Sequence, residues 1–129
     1  MMELLNTILT EQSKVLFIAV IVILVLEMVT GTIKGYKEGN LDSTIFKEGL
    51  LKKTSYFIQI ILAAVVSLIM AQPTLLYCDL LFISASEGIS ILENLVLIGV
   101  NVPDFLKDVL IKAKDTANKS ENNEEEAKG

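Results

Sequence analysis

The chain has 129 residues, 52% of them hydrophobic, with no histidine, one cysteine and a net charge of -5, and so apolar a composition at this length excludes most soluble domains. A lone Cys78 without His excludes an intrachain disulfide and the usual transition-metal sites; it reads as a small apolar filler, and no cofactor is implied. The acidity comes largely from the last residues and the lysines gather in two short regions beside apolar segments, which gives no nucleic-acid footprint.

Residues 1–14 form a polar lead with Glu3, Glu11 and Lys14, in which Leu4, Leu5, Ile8 and Leu9 are spaced for a turn or two of helix at a membrane surface. The following run, 15–33, holds one charge, Glu27, and at 1.5 Å per residue covers roughly 28 Å, enough to cross a bilayer. With no basic region before it and no small-residue cleavage pattern after it, it reads as a retained anchor. Glu27, Gly31 and Gly35 recur every four residues and put a carboxylate and two small residues on one face, where membrane helices approach closely.

Residues 34–54 read as a polar connection with five of the eleven lysines, a Gly39-Asn40 turn signal, and Asp42-Ser43-Thr44 able to start a short helix toward Lys52 and Lys53. A second, uncharged span is expected over 55–71, where Tyr56, Gln59, Ala63, Ser67 and Met70 make a weakly polar stripe of the kind used for helix packing. Gln72-Pro73-Thr74 leaves room only for a tight reversal, so the second and third segments must form an antiparallel hairpin.

The third segment, 75–99, combines high apolarity with acid groups. At 100° per residue Asp79, Ser86, Glu87, Ser90, Glu93 and Asn94 fall within an arc of about 120°, while Leu and Ile fill most of the remainder. Such a helix would suit a soluble bundle, but two companions apolar nearly all round favour a membrane. Pro103 and Asp104 suit the first turn of a further helix, 104–117, whose Leu106, Val109, Leu110 and Ala113 follow helical spacing and whose Lys107, Lys112 and Lys114 can reach lipid phosphates. It is expected on the membrane surface, followed by a disordered acidic tail over 118–129.

Lysines flank the 34–54 connection and the tail, whereas Lys14 alone precedes the first span and the 72–74 turn has none. Positive-inside reasoning then places the connection and the C-terminus in the cytoplasm and the N-terminus outside, which requires an odd number of spans. The expected fold is an all-α integral membrane protein with a membrane domain over 15–103, three transmembrane helices, a short amphipathic interfacial helix and a disordered acidic tail.

Glu87-Gly88-Ile89-Ser90-Ile91-Leu92-Glu93-Asn94, then Gly99 and Pro103 with Leu106-Lys107, resembles the C-terminal signature of the toxin-secretion/phage-lysis holins. Glu27-Met28-Val29-Thr30-Gly31, followed by a polar loop and Gly49 before Lys52-Lys53, is similar to that family's N-terminal half, with Glu27 where an Asp is more usual. The resemblance implies a phage-encoded or phage-derived protein that oligomerises in the bacterial inner membrane and opens lesions, releasing a muralytic endolysin or a toxin without having to contact it.

The physics of the third segment is compatible. A carboxylate at mid-bilayer costs roughly 2.5 to 3.5 kcal/mol on insertion scales, so Glu87 disfavours a lone helix facing lipid, and burial against neighbours or exposure to a water-filled hole would relieve it. Glu27, Gly31, Asp79, Ser86, Glu87, Ser90, Glu93 and Asn94 are therefore the expected pore or oligomerisation residues. Glu87 and Glu93 project about 120° apart and no Ser/His or metal arrangement accompanies them, so no enzyme is expected. Two other classes stand beside the holin: a small transporter using Glu27 or Glu87 as an intramembrane carboxylate, and a non-permeabilising adaptor whose stripe binds one partner.

Overall fold

The computed structural model describes residues 2–39 and 42–128, with side chains as far as Lys119 apart from that of Leu4. Five helices follow one another: α1 (Met2–Ile8), α2 (Glu11–Glu38), α3 (Ser43–Met70), α4 (Pro73–Ile98) and α5 (Asp104–Lys128), with no strand among the described residues. Three of them, α2, α3 and α4, are long and apolar enough to cross a membrane.

Local chemistry sets the boundaries. Thr10 accepts from the Ser13 amide at 3.1 Å and starts α2; Asp42 accepts from the Thr44 amide at 3.0 Å and starts α3. Pro73 occupies the first turn of α4, where its missing N–H is no loss. That helix stops at Gly99, whose φ of 108° only glycine adopts without strain and whose N–H returns to the carbonyls of Leu95 and Val96.

The expected polar connection over 34–54 is corrected: α2 runs on to Glu38 and α3 already begins at Ser43. Lys and Glu are good helix formers, so a helix continues past the apolar stretch until a cap ends it. Asn40, half of the expected turn, lies outside the described residues.

Helix α4 is the hub, packing against α2, α3 and α5. Lys37 at the end of α2 donates to the Ile98 carbonyl at the end of α4, so these two run parallel. The tight corner at Ala71 and Gln72 returns α4 antiparallel to α3. The core joins Val20 and Leu24 of α2, Ile60 of α3 and Leu76, Leu80 and Ile83 of α4, with Ile8 of α1 closing one end. Outward faces of α2 and α3 are apolar, with Ile18, Val22 and Val25, and Ile58, Ile61 and Leu62, all exposed. That pattern suits a lipid solvent, which imposes no penalty on apolar exposure.

Two expectations about the C-terminal region change. The helix predicted to end at 117 continues to Lys128, so the backbone of 118–128 is helical where a disordered tail was expected; a helix once nucleated propagates with each added hydrogen bond. Gly129 lies outside the described residues. Instead of standing apart on a surface, α5 folds back along α4, because Gly88 has no side chain and leaves a seat for Leu110.

Candidate functional site

The acidic stripe of α4 is turned inward, and its partners come from α2 and α3. Glu87, 1% exposed, accepts from the Tyr56 hydroxyl at 2.7 Å and lies 3.1 Å from Lys52 Nζ. Lys52 also sits 5.7 Å from the Tyr56 ring centroid, so these three side chains form one cluster. Nearer the hairpin corner, Asp79 accepts from Gln59 Nε2 at 2.6 Å.

About two turns past Glu87 along the same side of α4, Asn94 donates to Thr30 Oγ1 at 3.2 Å, and the backbone of Gly31 comes close enough that a Cβ there would meet Asn94 at 3.8 Å. Glu27 pairs with Lys53, whose side chain is 8% exposed. Helix α3 packs on α4 more than on α2, and the Glu27–Lys53 pair ties α2 to α3 directly. Beside it a cavity of about 310 Å³ opens between these helices, lined by Met28, Gly31, Lys34, Phe46, Lys53 and Asn94 among others.

Not every polar atom in this seam is paired. Asp79 Oδ2, Glu87 Oε2 and the hydroxyls of Ser67, Ser84 and Ser86 are buried with no hydrogen-bond partner among the described residues. Ser90 makes a long bond of 3.4 Å to the Ser86 carbonyl of its own helix. Buried polar groups left so are a site of strain in an apolar bundle, and each would be relieved by water or by a new neighbour.

Of the eight residues expected from sequence, Asp79, Ser86, Glu87, Ser90 and Asn94 lie along the inward side of α4, and Glu27 and Gly31 meet the seam from α2. Glu93 does not join them: it is exposed and borders a shallow cavity with Pro103, Asp104 and Lys107. One helical step turns Asn94 toward α2 and Glu93 away.

Sequence reasoning missed the partners. It assigned Lys52 and Lys53 to a loop and Tyr56 and Gln59 to a packing surface, whereas all four hold carboxylates or lie in contact with them. The signal was available in the hairpin, because residues equidistant from a tight antiparallel corner sit side by side, and Tyr56 and Glu87 are equidistant from Ala71-Gln72.

The bacteriophage holin family model matches residues 4–115. The chain is 33% identical over 109 residues to a protein named as a probable holin of Bacillus phage phi105, covering 83% of this chain and 81% of that one. It is 34% identical over 110 residues to the uncharacterized protein YqxH of Bacillus subtilis strain 168, covering 84% and 79%. An uncharacterized 14.9 kDa protein of Clostridium perfringens is 35% identical over 95 residues, or 72% of each chain. No solved structure gives a significant match. With a family model spanning nearly its whole length and three helices able to cross a membrane, this chain belongs to the bacteriophage holin family.

Proposed function

We propose that this protein is a holin that accumulates in the bacterial cytoplasmic membrane, oligomerises, and opens lesions through which a muralytic endolysin or a toxin leaves the cell. Its N-terminus faces outward, and the two lysine-rich corners, at 34–54 and around Lys107, face the cytoplasm. The lipid bilayer and further copies of the chain are its direct partners; the released enzyme needs no contact with it.

The observation that carries this reading is the enclosure of Glu87 and Asp79 within three membrane-length helices. Each subunit hides its acidic groups from lipid by pairing them with its own α3, so it can insert and accumulate harmlessly. The pairing is incomplete, with one oxygen of each carboxylate lacking a hydrogen-bond partner among the described residues. Rearrangement that admits water or neighbouring copies is therefore favoured once subunits are concentrated.

Inducible expression in bacteria, with and without a cytosolic endolysin lacking a signal sequence, tests this. Growth should continue normally and then give way to abrupt loss of membrane potential, with lysis following only where the endolysin is present. Gradual potential loss that tracks protein level from the start, with the endolysin still trapped, would instead indicate a small transporter or leak. Silence on expression with stable capture of one partner would indicate an adaptor.

A further inference from the structure

We propose that α5 is the water-facing wall of the lesion, an inference that rests on the holin reading and names the element that would line the hole. Helix α5 starts beyond the end of α4 and runs back along it: Leu110 seats at Gly88, where an added Cβ would lie 3.1 Å from it, and Lys114 Nζ stands 5.3 Å from the Phe82 ring centroid. Phe82 and Gly88 lie in the middle of a helix able to cross a membrane. Residues 110–117 of α5 are therefore at mid-span depth.

The two faces of α5 differ sharply at that depth. Taking 100° per residue, Asp108, Lys112, Asp115 and Lys119 fall within an arc of about 60°, and Leu110, Ala113 and Ala117 fall within a similar arc on the opposite side. All four charged residues are exposed, while Ala117 is 1% exposed. The charges alternate in sign at intervals of four, three and four residues, so the stripe is a mixed, hydrated surface with little net charge. On its borders Phe105, Val109 and Ile111 are exposed apolar groups suited to contact with neighbouring copies.

Lipid cannot solvate such a stripe at mid-bilayer depth. A lone subunit in a membrane must therefore release α5 to the cytoplasmic surface, and the docked arrangement is stable only where water meets its outer face. Several copies arranged with α4 outside and α5 inside provide that water. The acidic stripe of α4 is a poorer wall, because Glu87 and Asp79 are already engaged by Tyr56, Lys52 and Gln59 of α3.

The test uses the full chain with Cys78→Ser, purified into dye-loaded phosphatidylethanolamine/phosphatidylglycerol vesicles. Phe82→Cys with Lys114→Cys is bridged by a bifunctional methanethiosulfonate long enough to replace the two side chains, fastening α5 to α4, and dye release should stay within about twofold of the unfastened protein. Release that disappears on bridging and returns on reduction overturns the proposal, since α5 would then have to leave α4 for the lesion to open. Separately, a bimane at Lys112→Cys should be quenched by aqueous iodide in permeabilised vesicles, and one at Val109→Cys, covered by a neighbouring copy, should be shielded from it. Quenching of both by headgroup nitroxides would place α5 on the surface and equally overturn it. Failure of the unmodified chain to release dye at any protein-to-lipid ratio would remove the holin reading and the wall with it, an outcome distinct from loss on fastening alone.

Discussion

Lys52 and Lys53 are consecutive on α3 yet reach carboxylates on two different helices: Lys52 Nζ lies 3.1 Å from Glu87 of α4, and Lys53 pairs with Glu27 of α2. One helical step of 100° separates them, which lets a helix packed on α4 also reach across to α2. The two pairs differ in exposure. Lys52 retains a 57% exposed side chain, whereas Lys53 is nearly enclosed.

Replacing Glu87 by Leu removes the costly group from the middle of α4 while leaving Lys52 free to turn toward water. Membrane levels, read by immunoblot, should equal or exceed wild type, with permeabilisation lost or mistimed. Tyr56→Phe removes one interhelical hydrogen bond, worth on average about 0.6 kcal/mol in membrane proteins, and should shift lysis timing less. Unchanged timing in both variants would make the seam incidental.

For the Glu27–Lys53 pair, Lys53→Met strands a partly buried carboxylate, and breaking a buried pair from one side typically destabilises by about 3–5 kcal/mol. The double variant Glu27→Met, Lys53→Met should recover most of that loss. Thermal unfolding in detergent micelles, followed by circular dichroism, measures the coupling; a double variant as unstable as Lys53→Met alone would refute it.

Gly88 and Leu110 are predicted to trade space. Gly88→Val places branched carbons where the Leu110 side chain lies and should loosen α5, raising trypsin cleavage after Lys112 and Lys114 several-fold in detergent-solubilised protein. Leu110→Ala in the same chain should restore protection. Equal cleavage in Gly88→Val and wild type would show that α5 is not held at this point.

Topology is open to direct test before any lesion forms. In a Cys78→Ser background, a membrane-impermeant thiol reagent applied to spheroplasts should label Asn6→Cys and should miss Asn118→Cys until the membrane is broken. Labelling of position 118 in sealed spheroplasts would exclude a cytoplasmic C-terminus.

What the sequence determined by itself was the set of elements: three helices of membrane length, the tight corner at Gln72-Pro73, and an acidic stripe on α4. Each depends on hydropathy, periodicity or turn chemistry within a few residues, and those are local properties. Tertiary structure alone decided what the stripe meets. Gln59 and Asp79 are brought together by the α3–α4 corner, Thr30 and Asn94 by the parallel packing of α2 on α4, and Leu110 finds Gly88 because a missing side chain makes room. Lys52 and Lys53 show the limit most plainly: in sequence they are a basic flank that sets orientation, and only the packing of α3 on α4, with Glu27 of α2 within reach, turns them into clasps. The reason is physical, since a charge announces its sign from the sequence but its partner is fixed by which helices share a face, and that depends on side-chain fit across the whole bundle.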